Sequence, residues 1–189
     1  MGLQVEDGKG RGYSASVSES NRFNVSSKSN PRMFYVSRDE KLAFSVVAID
    51  SSAAAGEIAF HLKNTSTSKN MVIHTMTASS ANTSLLKLFE VTGIAASGTT
   101  LTPTNLNLTS GLLAEAEVMS GEAAAITGLT TGSLIAAGRL LANALVPLDL
   151  NDALIIGPGD QIAIEYDTGT TGSVEVTVTF YYETIDRQN

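Results

Sequence analysis

The chain contains no cysteine and no tryptophan. Without thiols there is no disulfide, no thiolate nucleophile and no cysteine-bound metal. Charge is thin as well: Asp, Glu, Lys and Arg make up 16% of the residues, against about 25% in an average soluble domain. Aromatic residues amount to 6%, a poor supply of platforms for sugar rings. No apolar run approaches the roughly 18 residues that a membrane-spanning helix needs. The opening MGLQVEDGKGRG does not read as a secretory signal, so no membrane partner is expected. A net charge of −7 argues against nucleic acid as a partner unless the basic residues cluster. What remains is plentiful Ser and Thr, 21 and 20 residues, and a hydrophobic share of 43% that suffices for a core. A length of 189 residues suits one domain, or one domain with a long arm.

Charge divides the chain. Residues 1–41 hold seven basic and five acidic side chains, whereas 42–189 hold five basic and fourteen acidic ones. The first 32 residues are rich in Gly, Ser and Asn, and such a segment cannot bury enough surface to offset its own ordering entropy. The expectation is an extended N-terminal arm over 1–41, ordered against a partner, and a β-sandwich domain over 42–189.

From residue 33 onward short apolar runs alternate with Gly, Asn, Ser and Thr. Strands are expected at 33–37, 42–49, 57–64, 71–78 and 84–91. In 57–64, Ile58, Phe60 and Leu62 share one face. The polar stretch 65–70 reads as the turn of a hairpin. Residues 93–100 are small and polar, and 101–108 alternate Leu with Thr or Asn around Pro103. Further on, 153–156 is a short strand, and Gly157-Pro158-Gly159-Asp160 marks a reversal that no central strand would tolerate. Ile162, Ile164 and Tyr166 share a face of the strand at 161–167. Val174, Val176, Val178, Phe180 and Tyr182 share a face of the strand at 173–183. Many short strands with polar turns imply an all-β sandwich or jelly roll. Residues 112–125 and 134–145 are rich in Ala and Leu but broken by glycines, and strand, loop and short helix all stay open there.

The chemical signals are weak. His61 and His74 are the only histidines, and a hairpin about 65–70 would set them opposite each other. Two ligands do not make a metal site, so they read as surface histidines. Glu115, Glu117 and Glu122 read as solvated acids rather than a glycosidase pair. Asp149-Leu150-Asn151-Asp152 begins like a calcium loop, but Leu154 stands where the glycine is required. Gly8-Lys9-Gly10-Arg11-Gly12 lacks the spacing of a phosphate loop. Four Asn-x-Ser/Thr sequons, at Asn24, Asn64, Asn82 and Asn107, read as chance matches in so Ser/Thr-rich a chain. No nucleophile elbow is present. The reading is of a protein without catalytic, cofactor or metal residues.

The stretch His61-Leu-Lys-Asn-Thr-Ser-Thr-Ser-Lys-Asn-Met-Val-Ile-His74 resembles a pattern of tailed-bacteriophage virion proteins. Further likenesses follow in order: Gly98-Thr-Thr-Leu-Thr-Pro-Thr-Asn-Leu-Asn107, Leu148-Asp-Leu-Asn-Asp-Ala-Leu-Ile-Ile-Gly-Pro-Gly-Asp160, and the strand ending in Tyr181-Tyr182-Glu183. Together they span 57–183. The resemblance implies a jelly-roll virion protein, foremost a capsid decoration (cement) protein, often a homotrimer. Its partners would be the major capsid protein and copies of itself. It would be made in the bacterial cytoplasm and end on the capsid exterior. A tail, baseplate or fibre-base jelly roll is the alternative, and a carbohydrate-binding or enzymatic β domain a more distant one. In this reading the arm is a strap across acidic capsid surface. Phe23, Val25, Met33, Phe34 and Tyr35 would be its apolar anchors, and Arg11, Arg22 and Arg32 its carboxylate-pairing cations.

Overall fold

The computed structural model describes residues 32–148, 150, 152–167 and 170–185. The chain divides into two compact units, Met1–Pro31 and Arg32–Asn189, and the described residues all lie in the second. Twelve strands follow one another: β1 (Ala43–Ala53), β2 (Glu57–Asn64), β3 (Lys69–Ser80), β4 (Ser84–Ala96), β5 (Thr99–Leu101), β6 (Thr104–Asn105), β7 (Ala116–Ser120), β8 (Thr127–Leu140), β9 (Val146–Leu148), β10 (Leu154–Ile156), β11 (Gln161–Asp167) and β12 (Gly172–Thr184). They form two six-stranded sheets, and every pairing is antiparallel. Sheet I runs β10-β3-β12-β1-β6, with β9 also on β3; sheet II runs β5-β7-β2-β11-β4-β8. The fold is all-β.

Alternation along the strands explains the core. Val174, Val176, Val178, Phe180 and Tyr182 of β12 are all buried, facing Ile162, Ile164 and Tyr166 of β11 and Phe60 and Leu62 of β2. The rings of Phe44, Phe180 and Tyr182 meet pairwise at centroid distances of 5.8 Å, within the range of favourable aromatic contacts.

The expected 57–64/71–78 hairpin does not form: β2 lies in sheet II and β3 in sheet I. Asn64 holds the chain at the crossing. Its Nδ2 donates to the carbonyls of Lys69 and Ile156, both at 2.9 Å, while its Oδ1 accepts the Ser66 N–H. Crossing lets both strands bury their apolar faces in the same core. A hairpin would align them side by side in one sheet.

Residues 33–37 are not a strand. Arg32–Tyr35 is a single α-helical turn, followed by a π-helical turn at Val36–Glu40 and a left-handed Lys41 with φ 59°. Val36 is buried on the outer face of sheet I with Ala43, Val72 and Tyr181, and Met33, Tyr35 and Leu42 pack around them. Packing onto that face overrides the strand preference of Phe, Tyr and Val. Residues 32–41 therefore lie against the sandwich.

Residues 112–145 contain β7, β8 and turns, and no helix is found among their described residues. Pairing of β8 along β4 prevails over the helix propensity of Ala and Leu. Where β4 and β8 run past the rest of sheet II, Gly93 and Gly128 sit face to face with φ of 106° and 78°. A Cβ on Gly93 would stand 2.4 Å from the Gly128 carbonyl oxygen, so only glycine permits so close an approach.

Candidate functional site

The two histidines stand in different sheets. His61, on β2, is fully buried, and its Nε2 lies 2.8 Å from Gln161 Oε1. Since the amide oxygen can only accept, Nε2 carries the proton. Nδ1 has no hydrogen-bond partner. Burial holds the imidazole below its ordinary pKa, against the opposing pull of the Gln161 bond. The expectation of two surface histidines opposite one another is thus corrected. His74, on β3, pairs instead with Asp152, Nδ1 to Oδ1 at 2.9 Å.

The acids are dispersed into local contacts. Glu115 pairs with Lys69, and that bond, with a second from Ser66, holds its carboxyl below the usual range. Glu122 accepts from the Ser51 N–H and hydroxyl. Asp50 is buried and its pKa is raised, first by burial, then by Glu122 and Glu57, against the stabilising Ser52 N–H. Among the described residues no group of three or more His, Asp or Glu side chains is placed to hold a metal ion. Asp149 and Asn151 of the calcium-like run, and Gly8–Gly12, fall outside the described residues.

Of the partner-binding candidates, Arg11, Arg22, Phe23 and Val25 also fall outside them. Arg32, Met33, Phe34 and Tyr35 form the helical turn. Arg32 bonds Glu183 at 3.0 Å, reaches Glu40 at 3.9 Å and lies over the Tyr35 ring. Phe34 is 48% exposed with the Arg38 guanidinium above it. Met33 and Tyr35 face the sheet. The structure therefore turns Phe34 outward and sets Arg32 in a bridge to sheet I.

The least conventional surfaces are the two lateral edges of the sandwich, which the sequence reading did not single out. At one, β8 of sheet II faces β9 and β10 of sheet I. Leu134, Ile135, Leu141, Leu145 and Ile155 are exposed there, and an open cleft of about 210 Å³ is lined by Glu90, Ile135, Leu154, Ile155, Asp160 and Ile162 among others. At the other edge, β1 of sheet I stands beside β5 and β6, with Ser45, Val46, Val47, Leu101, Thr102 and Thr104 lining a groove. The loop 106–115 leaves that edge with Leu108 and Leu113 83% and 78% exposed. Single exposed leucines are ordinary, but rows of them at sheet edges mark contact surfaces. The signal in the sequence was the leucine that recurs in 101–113 beyond what a two-residue period needs.

No family model, curated protein or solved structure matches the chain.

Proposed function

We propose that the chain is a structural, non-enzymatic virion protein of a tailed phage, a decoration protein that binds the outside of the capsid and reinforces contacts between major capsid subunits. The observation that carries this is the strand order. Eight of the strands are ordered β9-β3-β12-β1 in sheet I and β2-β11-β4-β8 in sheet II. We read that order as jelly-roll wiring, in which eight strands wind between two four-stranded sheets. It supports the fold that the residue resemblance implies. Fold alone does not assign a task. Support for a binding role comes from the apolar sheet edges and the outward Phe34, on a body where Glu115, Glu122 and His74 are held in local contacts. The basic N-terminal segment, with Arg11, Arg22, Phe23 and Val25, is the strap in this reading, and Arg32 to Tyr35 its root on the sandwich.

The test is cosedimentation of the purified full chain with undecorated heads of the phage that encodes it. Saturable binding that raises the temperature at which heads rupture is the expected result. Absence of binding at every ionic strength, together with capture by isolated tails, would replace decoration with a tail or baseplate role.

A further inference from the structure

The two apolar edges differ in character. One is a projection: loop 106–115, with Leu108 and Leu113 outward. It is pinned, since Asn105 Nδ2 donates to the Lys41 carbonyl at 2.8 Å and to the Leu112 carbonyl at 3.3 Å, and Asn105 Oδ1 accepts the Asn107 N–H. The other is a depression, the cleft between β8 and β10. An ordered projection loses little conformational freedom on entering a partner.

Their heights along the sandwich match. Ile155 is the register partner of Val72, Val72 of Tyr181, and Tyr181 of Ala43. The Ala43 carbonyl in turn accepts the Leu106 N–H at 2.9 Å. One cross-strand row thus connects the cleft to the root of the projecting loop. Glu90 and Asp160 line the cleft, exposed Lys41 adjoins the root of the loop, and the loop's one charged residue, Glu115, is paired with Lys69.

β8 adds a further demand. It is a 14-residue strand at the end of its sheet, with a single buried residue, Leu140. Arg139 is its only charged side chain and it has no proline, so the irregularities opposite Phe89 and between Gly93 and Ala96 are what blunts its open edge. At about 3.3 Å per residue it extends roughly 45 Å, and a strip ~20 Å deep along it covers about 900 Å², comparable to the roughly 800 Å² per partner of a stable interface.

We infer that this edge docks a second copy of the same chain, whose 106–115 loop seats Leu108 and Leu113 in the cleft between β8 and β10. Because the two surfaces differ, the contact is heterologous: each copy gives its loop to one neighbour and takes a loop from another. Such a contact repeats from copy to copy, and the rotation between neighbours sets where the series ends. This deepens the decoration reading and rests on it for the setting alone.

Sedimentation velocity on three forms of the full-length chain tests it. Wild type is expected as an oligomer of at least three copies. A loop variant, Leu108→Asp with Leu113→Asp, and a cleft variant, Ile135→Asp with Ile155→Asp, should each be monomeric with an unchanged far-ultraviolet spectrum. All four positions are exposed, and Ser in place of Asp gives milder versions if folding suffers. Mixed in equal amounts, the two variants should form dimers and nothing larger, because one intact loop meets one intact cleft. A photoreactive benzophenone amino acid at position 155 should capture residues 106–115 of another copy.

A monomeric or dimeric wild type overturns the inference. So does either variant keeping the wild-type mass, a mixture that stays monomeric, or capture of residues 1–31 at position 155. An oligomer that ignores capsids would sink the decoration reading alone, and a monomer that binds capsids would sink the self-docking alone.

Discussion

His61 enters the native state neutral, between a glutamine that accepts its one proton and surroundings that leave Nδ1 without a donor. Protonating Nδ1 would bury a charge with nothing to receive it. Its folded pKa lies below the ordinary 6.5, so the unfolded chain takes up a proton in the acid range that the folded chain refuses. Stability is therefore fully present above 6.5 and is lost as the pH falls through that value toward the folded pKa. His61→Gln keeps a donor for Gln161 and removes the titration. Urea unfolding at about pH 7 and about pH 5 should show wild type losing stability at up to ~1.4 kcal/mol per pH unit from this group, and the variant losing less by that amount. An unchanged acid slope would place the proton elsewhere. Asp50 works in the opposite sense. Its raised pKa means that the contribution it makes as a neutral acid is present at low pH and fades as the pH rises through the carboxylate range.

Elements differ in how much they depend on one contact. The ribbon made by the far ends of β4 and β8 turns on Gly93 and Gly128, whose backbones touch where a Cβ would collide. Gly93→Ala should cost about 1–3 kcal/mol, and the damage should be local. Hydrogen exchange should speed at 92–96 and 127–131 and stay slow in β12, whose interior pairs on both sides. Uniform acceleration would mean that the ribbon and the core open together.

The same contrast explains which elements were legible in the sequence. β12 buries chiefly one face, so its alternation gave that face correctly; β11 was found although Gln161 and Ala163 on its other face are also buried, and the ends of both were placed to within a residue or so. β2 was found too, although its outer face is also covered at Ala59 and His61. β8 is exposed on both faces, and a strand with no buried side writes no period. Residues 33–37 carry strand-forming side chains that Val72 and Tyr181 recruit into a cap, a tertiary effect invisible in a local window. The β2–β3 crossing depends on Asn64 reaching Ile156, 92 residues away. The apolar edges, and with them the candidate interface, depend on which strands end a sheet, and pairing order is not written locally.

At the scale of the molecule, the first and last strands among the described residues lie side by side: β1 and β12 pair from Ala43 with Tyr181 through to Ala53 with Gly172. β12 also separates β1 from β3 in sheet I. A ribosome delivers the chain from its amino end, so β1 and β3 emerge with the slot between them empty, and the strand that fills it comes last. Contacts so distant along the chain slow folding and prolong exposure of unpaired edges. Nascent chains stalled before residue 172 should remain sensitive to protease, and full-length chains released from the ribosome should become resistant in a single step. The vulnerable interval is thus set by translation of the closing strand, and chaperones that shield bare β-edges would govern the yield of folded chain.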